Sequence, residues 1–397
     1  MQEPLLEWER FRRALADEDL PAALIDLDAL EANAVVLAGR GKPVRVATKS
    51  IRCPEILRLL LAMPDMVGLM TWSAPETALL AEQGFDDFLV AYPIARAGDA
   101  RRIAALTAAG KTVRAVIDAP EQVALLAAAH QAGPPIRVCL DVDASWRPAG
   151  AHLGVRRSPI RDAAAAVALG RAVRATEGRL VLDAMMAYEA QVAGMADINP
   201  GSRWLDPARG WIKSRSVPAV ARLRRGVHDA LLEEGHPVGL VNGGGTGSLD
   251  STSADPVVTE VTAGSGFFAP HLFDHYHGLG LRPAAFFALE IVRRSDPGFA
   301  TCAGGGWPAS GEIGPSRSPK VHLPPGVAPL ALEGWGEVQT PFAIAPNAPP
   351  LQIGDPILAR HAKAGELLEH FAEVLLVRGD RVVGRAPTLR GLGSRSG

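Results

Sequence analysis

Cysteine is scarce in this chain of 397 residues. Cys53, Cys139 and Cys302 are the only three, too few and too scattered for a disulfide framework or a cysteine zinc cluster. Charge of one sign is not in excess either, since the net charge is −2. That gives no general attraction to nucleic acid or to an anionic membrane. No apolar run approaches the roughly 18 residues of a membrane span. The opening Met1-Gln2-Glu3-Pro4-Leu5-Leu6-Glu7 lacks the basic-then-apolar order of a signal peptide, so a soluble, cytoplasmic protein is expected. No Gly-x-Gly-x-x-Gly turn follows the first strand, which counts against a doubly wound dinucleotide fold. Tyrosine is absent after Tyr276.

What is present is a rhythm. Hydrophobic residues make up 48% of the chain, enough for one large core or two moderate ones. Residues 1–20 read as a polar amphipathic helix. From Ala22-Ala23-Leu24-Ile25-Asp26 onward, short apolar strands alternate with helical stretches, and Asp28 with Glu31 could form a capping box at the first of these. About nine strand candidates over roughly 245 residues have the size and order of a (β/α)8 barrel. After about residue 280 the apolar runs are divided by Gly- and Pro-rich turns without a convincing helix, as in an antiparallel β domain. The expected division is an N-terminal helix at 1–20, a TIM-type barrel at 21–279, a C-terminal antiparallel β domain at 280–386 and a disordered tail at 387–397.

Chemistry concentrates at predicted strand ends. In Val44-Arg45-Val46-Ala47-Thr48-Lys49 the period-2 alternation sets Lys49 at the carboxyl end of a strand, on the side that Ala47 faces. Pro54 follows at the first turn of a helix. A lysine there is either a reactive amine or a side chain with its head in solvent or paired to a carboxylate. Gly243-Gly244-Gly245-Thr246 and Gly264-Ser265-Gly266 follow two late strands, where successive N–H groups and hydroxyls can hold one phosphate between them. The competing reading is two tight turns that need glycine. Asp141, Asp143 and Arg147 follow a central strand; Arg147 suits a ligand phenolate or carboxylate, or else an ion pair with Asp143. Tyr188, Glu189 and Gln191 stand at the same rim. His361 and Lys363 share a face of a later strand, an odd way to build a core. His271, His275 and His277 could be counted as metal ligands, but no ordered Cys or acidic partner supports them.

Taken in order, these residues resemble the fold-type III pyridoxal-phosphate enzymes of the alanine racemase-like superfamily. The D-threonine aldolase and D-serine dehydratase branch is the most similar. The resemblance runs from about Pro21 to Val383 and rests on Asp26-Leu27-Asp28, Thr48-Lys49, Cys53-Pro54-Glu55, Tyr92-Pro93, Asp141-Val142-Asp143, Arg147, Tyr188-Glu189, Gly243-Gly244-Gly245-Thr246, Gly264-Ser265, Gly354-Asp355 and His361. It implies pyridoxal 5'-phosphate carried by Lys49 as a Schiff base. It also implies phosphate contacts from Gly244, Gly245, Thr246, Gly264 and Ser265, Tyr188 near the pyridine nitrogen and Arg147 near the ring hydroxyl. A head-to-tail homodimer is implied too, in which His361 and Lys363 face the partner's cofactor.

The departures carry equal weight. That branch has His-x-Cys, a divalent-metal pair, where this chain has His361-Ala362-Lys363. A lysine cannot replace a thiolate without losing its proton, so the metal is in doubt and no metal ligand is assigned. The Lys363 ammonium takes the metal's place, or Lys363 acts as a base. Gln191 stands where histidine is usual and Gly266 where a bulky aromatic is usual, which points to a remodelled pocket contacting substrate through Gln191, His361 and Lys363. The activity implied is a lyase cleaving Cα–Cβ of β-hydroxy-α-amino acids into a small amino acid and an aldehyde. The alternative is a D-serine dehydratase-like deaminase. A racemase would want a second base, often tyrosine, and none follows Tyr276. A non-catalytic pyridoxal-phosphate binder would be a barrel alone.

Overall fold

The computed structural model describes residues 2–311, 314–363 and 365–393. Strand β1 (Ala22–Asp26) does not join the barrel with which its sequence rhythm groups it. It runs antiparallel to residues 285–296 and parallel to residues 373–378, pairing Ala22 with Ala288 and Ala23 with Val374. Four of its five residues are buried, as suits a central strand covered on both faces. The expected boundary at residue 21 therefore does not hold, because β1 belongs to the second sheet.

The barrel closes in chain order from eight parallel strands. These are β2 (Val44–Ala47), β3 (Met66–Thr71), β4 (Phe88–Val90), β5 (Val113–Ile117), β6 (Ile136–Asp141), β7 (Leu180–Ala187), β8 (Leu240–Gly243) and β9 (Glu260–Ala263). Along β6, the alternating residues Arg137, Cys139 and Asp141 sample three inner layers. At the amino end, Arg45 is 1% exposed and donates to Glu260 at 2.6 and 2.9 Å and to the Asp87 carboxylate at 3.1 Å. Asp183 beside it accepts from Arg114 at 3.1 Å and from Arg137. Above lies an apolar layer of Leu89, Val116, Cys139, Ala184 and Met186. Asp141 stands at the carboxyl end.

The remaining strands are β10 (Ala285–Asp296), β11 (Phe299–Ala303), β12 (Lys320–Leu323), β13 (Val327–Pro329), β14 (Gln339–Ile344), β15 (Pro356–Arg360), β16 (Glu373–Arg378) and β17 (Arg381–Pro387). They form one sheet of order β13-β14-β11-β10-β1-β16-β17, with β15 pairing β10 and β12. Its pairings are antiparallel except β1 with β16. The helix Gln2–Ala14 packs on this sheet rather than on the barrel. Its Trp8 indole donates to Pro356 O at 3.0 Å, and Phe11 meets Phe286 edge-on at 5.3 Å. Burying two such aromatic side chains contributes about 2–3 kcal/mol each.

Two smaller expectations also change. The helix Leu27–Ala38 is capped by Asp26, whose carboxylate accepts from the N–H groups of Asp28 and Ala29 at 3.1 and 3.2 Å. Asp28 and Glu31 instead bind Arg378. The segment after β17 is packed, since Thr388 and Leu389 are fully buried and Leu389 N–H donates to Arg52 O at 2.8 Å. Of the expected disordered tail, 394–397 lie outside the described residues. No described helix is long and apolar enough to cross a membrane.

Candidate active site

Strand β2 stops at Ala47, and Lys49 stands one residue into the helical turn Thr48–Ile51. It lies just past the strand rather than on it. Arg52 closes the turn in the left-handed region at φ 48°, a conformation costly for a residue with Cβ. Its guanidinium donates to Lys49 O at 2.9 Å and forms an ion pair with Glu369. Arg52 thus pins the lysine turn to the β domain. Lys49 is exposed at the carboxyl end of the barrel. Its amine is pushed down from 10.5 to about 8, first by desolvation and then by the charges of Arg157, Lys363 and Arg52. An amine near that value is partly unprotonated at neutral pH and so able to attack a carbonyl.

The two glycine turns meet beside this lysine. Gly244 has φ +82°, a conformation that favours glycine. Thr246 and Ser265 each open a short helical turn, and Thr246 Oγ1 accepts from Gly266 N–H at 3.0 Å. Ser50, next to Lys49, lies 3.4 Å from the Ser265 hydroxyl. A Cβ added at Gly264 would come within 2.7 Å of the Ser50 hydroxyl, and one at Gly245 within 3.2 Å of the Tyr188 ring. Gly244, Gly245, Thr246, Gly264, Ser265 and Tyr188 are therefore brought together beside the turn that carries Lys49. Buried Glu189 holds the first glycine turn in place. Its carboxylate accepts from Ser248 Oγ at 2.8 Å, from Gly244 N–H at 3.3 Å, and from Thr252 and Arg224. Glu189 is an anchor for the loop rather than a rim acid. A cavity of about 450 Å³ opens on the far side of this turn, but its Arg40 and Lys213 are paired with Asp250 and Asp197 at 2.5 Å each. Lys49 is not among its lining residues.

Two groups at the mouth, Arg157 and Glu76, carry no sequence motif. Arg157 lies over the rings of Tyr188 and Tyr92 at 5.6 and 5.9 Å and has no ion-pair partner among the described residues. It is one of 41 lysines and arginines, with nothing local to mark it. Glu76 is 2% exposed; Trp72 N–H donates to one of its oxygens at 2.9 Å while the other has no partner. Burial pushes that carboxyl up to about 8. Asp141 is raised to about 7, by burial and then by Asp118. Burial, with Glu189 next, raises the Tyr188 hydroxyl above its usual range, so it stays a neutral donor.

Other expected residues sit elsewhere. Arg147 donates to Asp143 at 2.5 Å, so its charge is engaged, and the arginines acting on Lys49 are Arg157 and Arg52. Gln191 is buried, donates to Ala144 O at 2.7 Å and leaves its carbonyl oxygen without a partner. His361 and Lys363 follow the end of β15 and do not share a strand face. His361 is 1% exposed, lies edge-on to Phe268 at 6.5 Å and has no partner for either ring nitrogen. Burial, then Arg360, pushes it down to about 3, so it is a neutral ring. Lys363 is exposed, and its charge acts on Lys49 of the same chain. Nearby Gly365 confirms the approach, since a Cβ there would lie 2.4 Å from Lys49 O. His271 bonds Ser318 O at 2.9 Å.

No family model matches this chain. It is 26% identical over 262 residues to 3-hydroxy-D-aspartate aldolase of Paracoccus denitrificans (strain Pd 1222), a match covering 65% of this chain and 62% of that protein. The D-threonine aldolase of Filomicrobium marinum superposes with a TM-score of 0.76 at 23% identity, covering 95% of this chain and 96% of that one. D-threo-3-hydroxyaspartate dehydratase from Delftia sp. HT23 gives 0.72 at 20% identity, covering 95% and 99%. The fold is alanine racemase-like. A parallel eight-stranded barrel with its mouth against a β domain is thus the scaffold on which this lysine, these glycine turns and Arg157 stand.

Proposed function

We propose that this chain is a pyridoxal-phosphate lyase that cleaves the Cα–Cβ bond of β-hydroxy-α-amino acids. The observation that carries the reading is the Lys49 amine, lowered to about 8, beside two donor-rich turns joined through Thr246 and Gly266. The residues fit the cofactor: an amine able to attach it, glycines where a side chain would fill the cradle, and a phenol at the same wall. When bound, the cofactor supplies an electron sink for a bond broken at Cα.

The rest falls to the chain's own groups. Gly244, Gly245, Thr246, Gly264 and Ser265 would hold the phosphate, with Glu189 fixing the first turn. Tyr188 would donate from beside Gly245. Arg157 replaces Arg147 as the arginine for a ring oxygen or a substrate carboxylate, since its fork is free to bind bidentately. The displaced Lys49 amine would stand ready to carry a proton at Cα. A head-to-tail homodimer remains part of the proposal.

Borohydride reduction of the cofactor-loaded protein, followed by peptide mass mapping, should put the label on Lys49; label on another lysine would refute the assignment. Incubation with D-threonine and with D-threo-3-hydroxyaspartate should release aldehyde. Keto acid and ammonia instead would make the protein a dehydratase.

A further inference from the structure

The divalent metal that the resemblance implies does not fit the residues at its place. His361 is sealed from solvent, Lys363 offers a cation instead of a lone pair, and no cluster of three or more His, Cys, Asp or Glu able to hold a metal exists among the described residues. What stands there is a different device. Lys363 Nζ donates to Ser310 Oγ at 3.2 Å, and that hydroxyl donates to Glu366 Oε1 at 2.9 Å. Ser310 N–H donates to the same oxygen at 3.1 Å. The order of donors is fixed, because an ammonium can only donate and the Ser310 hydrogen goes to the carboxylate. One of the three ammonium N–H groups is used, and two remain.

The loop carrying this device is clamped at the mouth. Arg52 ties Lys49 O to Glu369, and Gly365 is pressed against the same carbonyl. Two cations without an ion-pair partner among the described residues then act on Lys49: Arg157, which follows the barrel strand β6, and Lys363, which follows β15 of the β domain. Their shapes divide the work. A planar guanidinium suits a carboxylate, whereas an ammonium is a point charge suited to a single oxygen.

We propose that Lys363, positioned by Ser310 and Glu366, is the fixed cation that binds the β-oxygen of the substrate and stabilises it as an alkoxide, with no divalent metal taking part. This rests on the lyase reading above. In the step, the β-hydroxyl proton passes to water at the mouth and the Cα–Cβ electron pair stays with Cα. The oxygen forms the aldehyde carbonyl, and Cα then takes up a proton. No oxidant, reductant or second substrate is needed.

The test uses the cofactor-loaded protein dialysed against EDTA, with its metal content measured. Visible absorbance of the cofactor, followed by stopped flow, would report binding of D-threonine and of D-2-aminobutyrate, which lacks the hydroxyl. Wild type should be metal-free, keep its activity after chelation, and favour the hydroxylated ligand by about tenfold or more, as expected for a charge-assisted hydrogen bond. Lys363→Met should erase that preference while leaving D-2-aminobutyrate binding unchanged, and should lower kcat by about 100-fold or more, the usual loss for a missing oxyanion donor. Lys363→Arg should recover part of both, and Ser310→Ala should show a smaller loss of the same preference. A stoichiometric divalent ion whose removal abolishes activity would overturn the proposal, as would a Lys363→Met protein that still prefers the hydroxylated ligand. Absence of aldehyde from wild type would sink the lyase reading, and the ligand titration would still decide for or against the Lys363 contact.

Discussion

The two ends of the barrel interior use the same residue types to opposite effect. At the amino end, Arg45, Arg114 and Arg137 are matched by Glu260, Asp87 and Asp183 at hydrogen-bond distance. Asn242 adds a further bond to Glu260 at 2.8 Å. At the carboxyl end the polar groups are left open. Arg157 has no ion-pair partner among the described residues, one oxygen each of Glu76 and Gln191 lacks a hydrogen bond, and the Lys49 and Asp141 values are displaced toward neutrality. Closed charges hold the strands together; open ones wait for something to bind. A few ångströms of strand, crossed by one apolar layer, separate stability from chemistry.

That contrast can be broken at its closed end. Arg45→Met should destabilise the apoprotein by about 3–5 kcal/mol in urea denaturation, because Glu260 would be left buried and unpaired. Arg157→Ala should stay within about 1 kcal/mol of wild type in the same experiment. Its effect should appear at Lys49 instead. The rate at which the apoprotein forms its link with pyridoxal phosphate should rise with pH and level off above about pH 8. In Arg157→Ala the midpoint should move up toward the ordinary lysine value, because a repelling charge has been removed.

Linkage gives a further, smaller test. Lys49 has a folded value of about 8 against 10.5 for an ordinary lysine, so the unfolded chain binds more protons between the two. Apoprotein stability should rise with pH across that window, and Lys49→Met should flatten the rise. His361 and His322 are depressed to about 3 and about 4 from 6.5. Their contribution is complete above about pH 6.5 and is lost as pH falls, with a slope of at most about 1.4 kcal/mol per pH unit for each. His361→Phe should make the acid limb shallower; an unchanged limb would mean the ring is not shielded.

Much of this is legible in the sequence, for identifiable reasons. Lys49 and the two glycine turns are local signals, each set by the strand just before it, so periodicity and turn chemistry were enough. The barrel followed from the same alternation. What stayed hidden depends on partners far apart in the chain. Nothing near β1 says that it pairs with residues more than 250 positions away. Nothing near Arg157 says that its charge stands over Tyr188. Glu189 looks like a rim acid until Arg224, Ser248 and Thr252 converge on it. Arg147 stands four residues from Asp143, and that pairing is what the fold contains.

The place of β1 also bears on how the chain is made. Residues 22–26 leave the ribosome before either strand that flanks them, since both lie beyond residue 284. The barrel between can assemble as it emerges, while this apolar segment has no sheet to enter until residues 285–296 and 373–378 have been synthesised. Expression with β1 deleted should therefore leave a β domain with a gap at its centre, not merely a shorter protein.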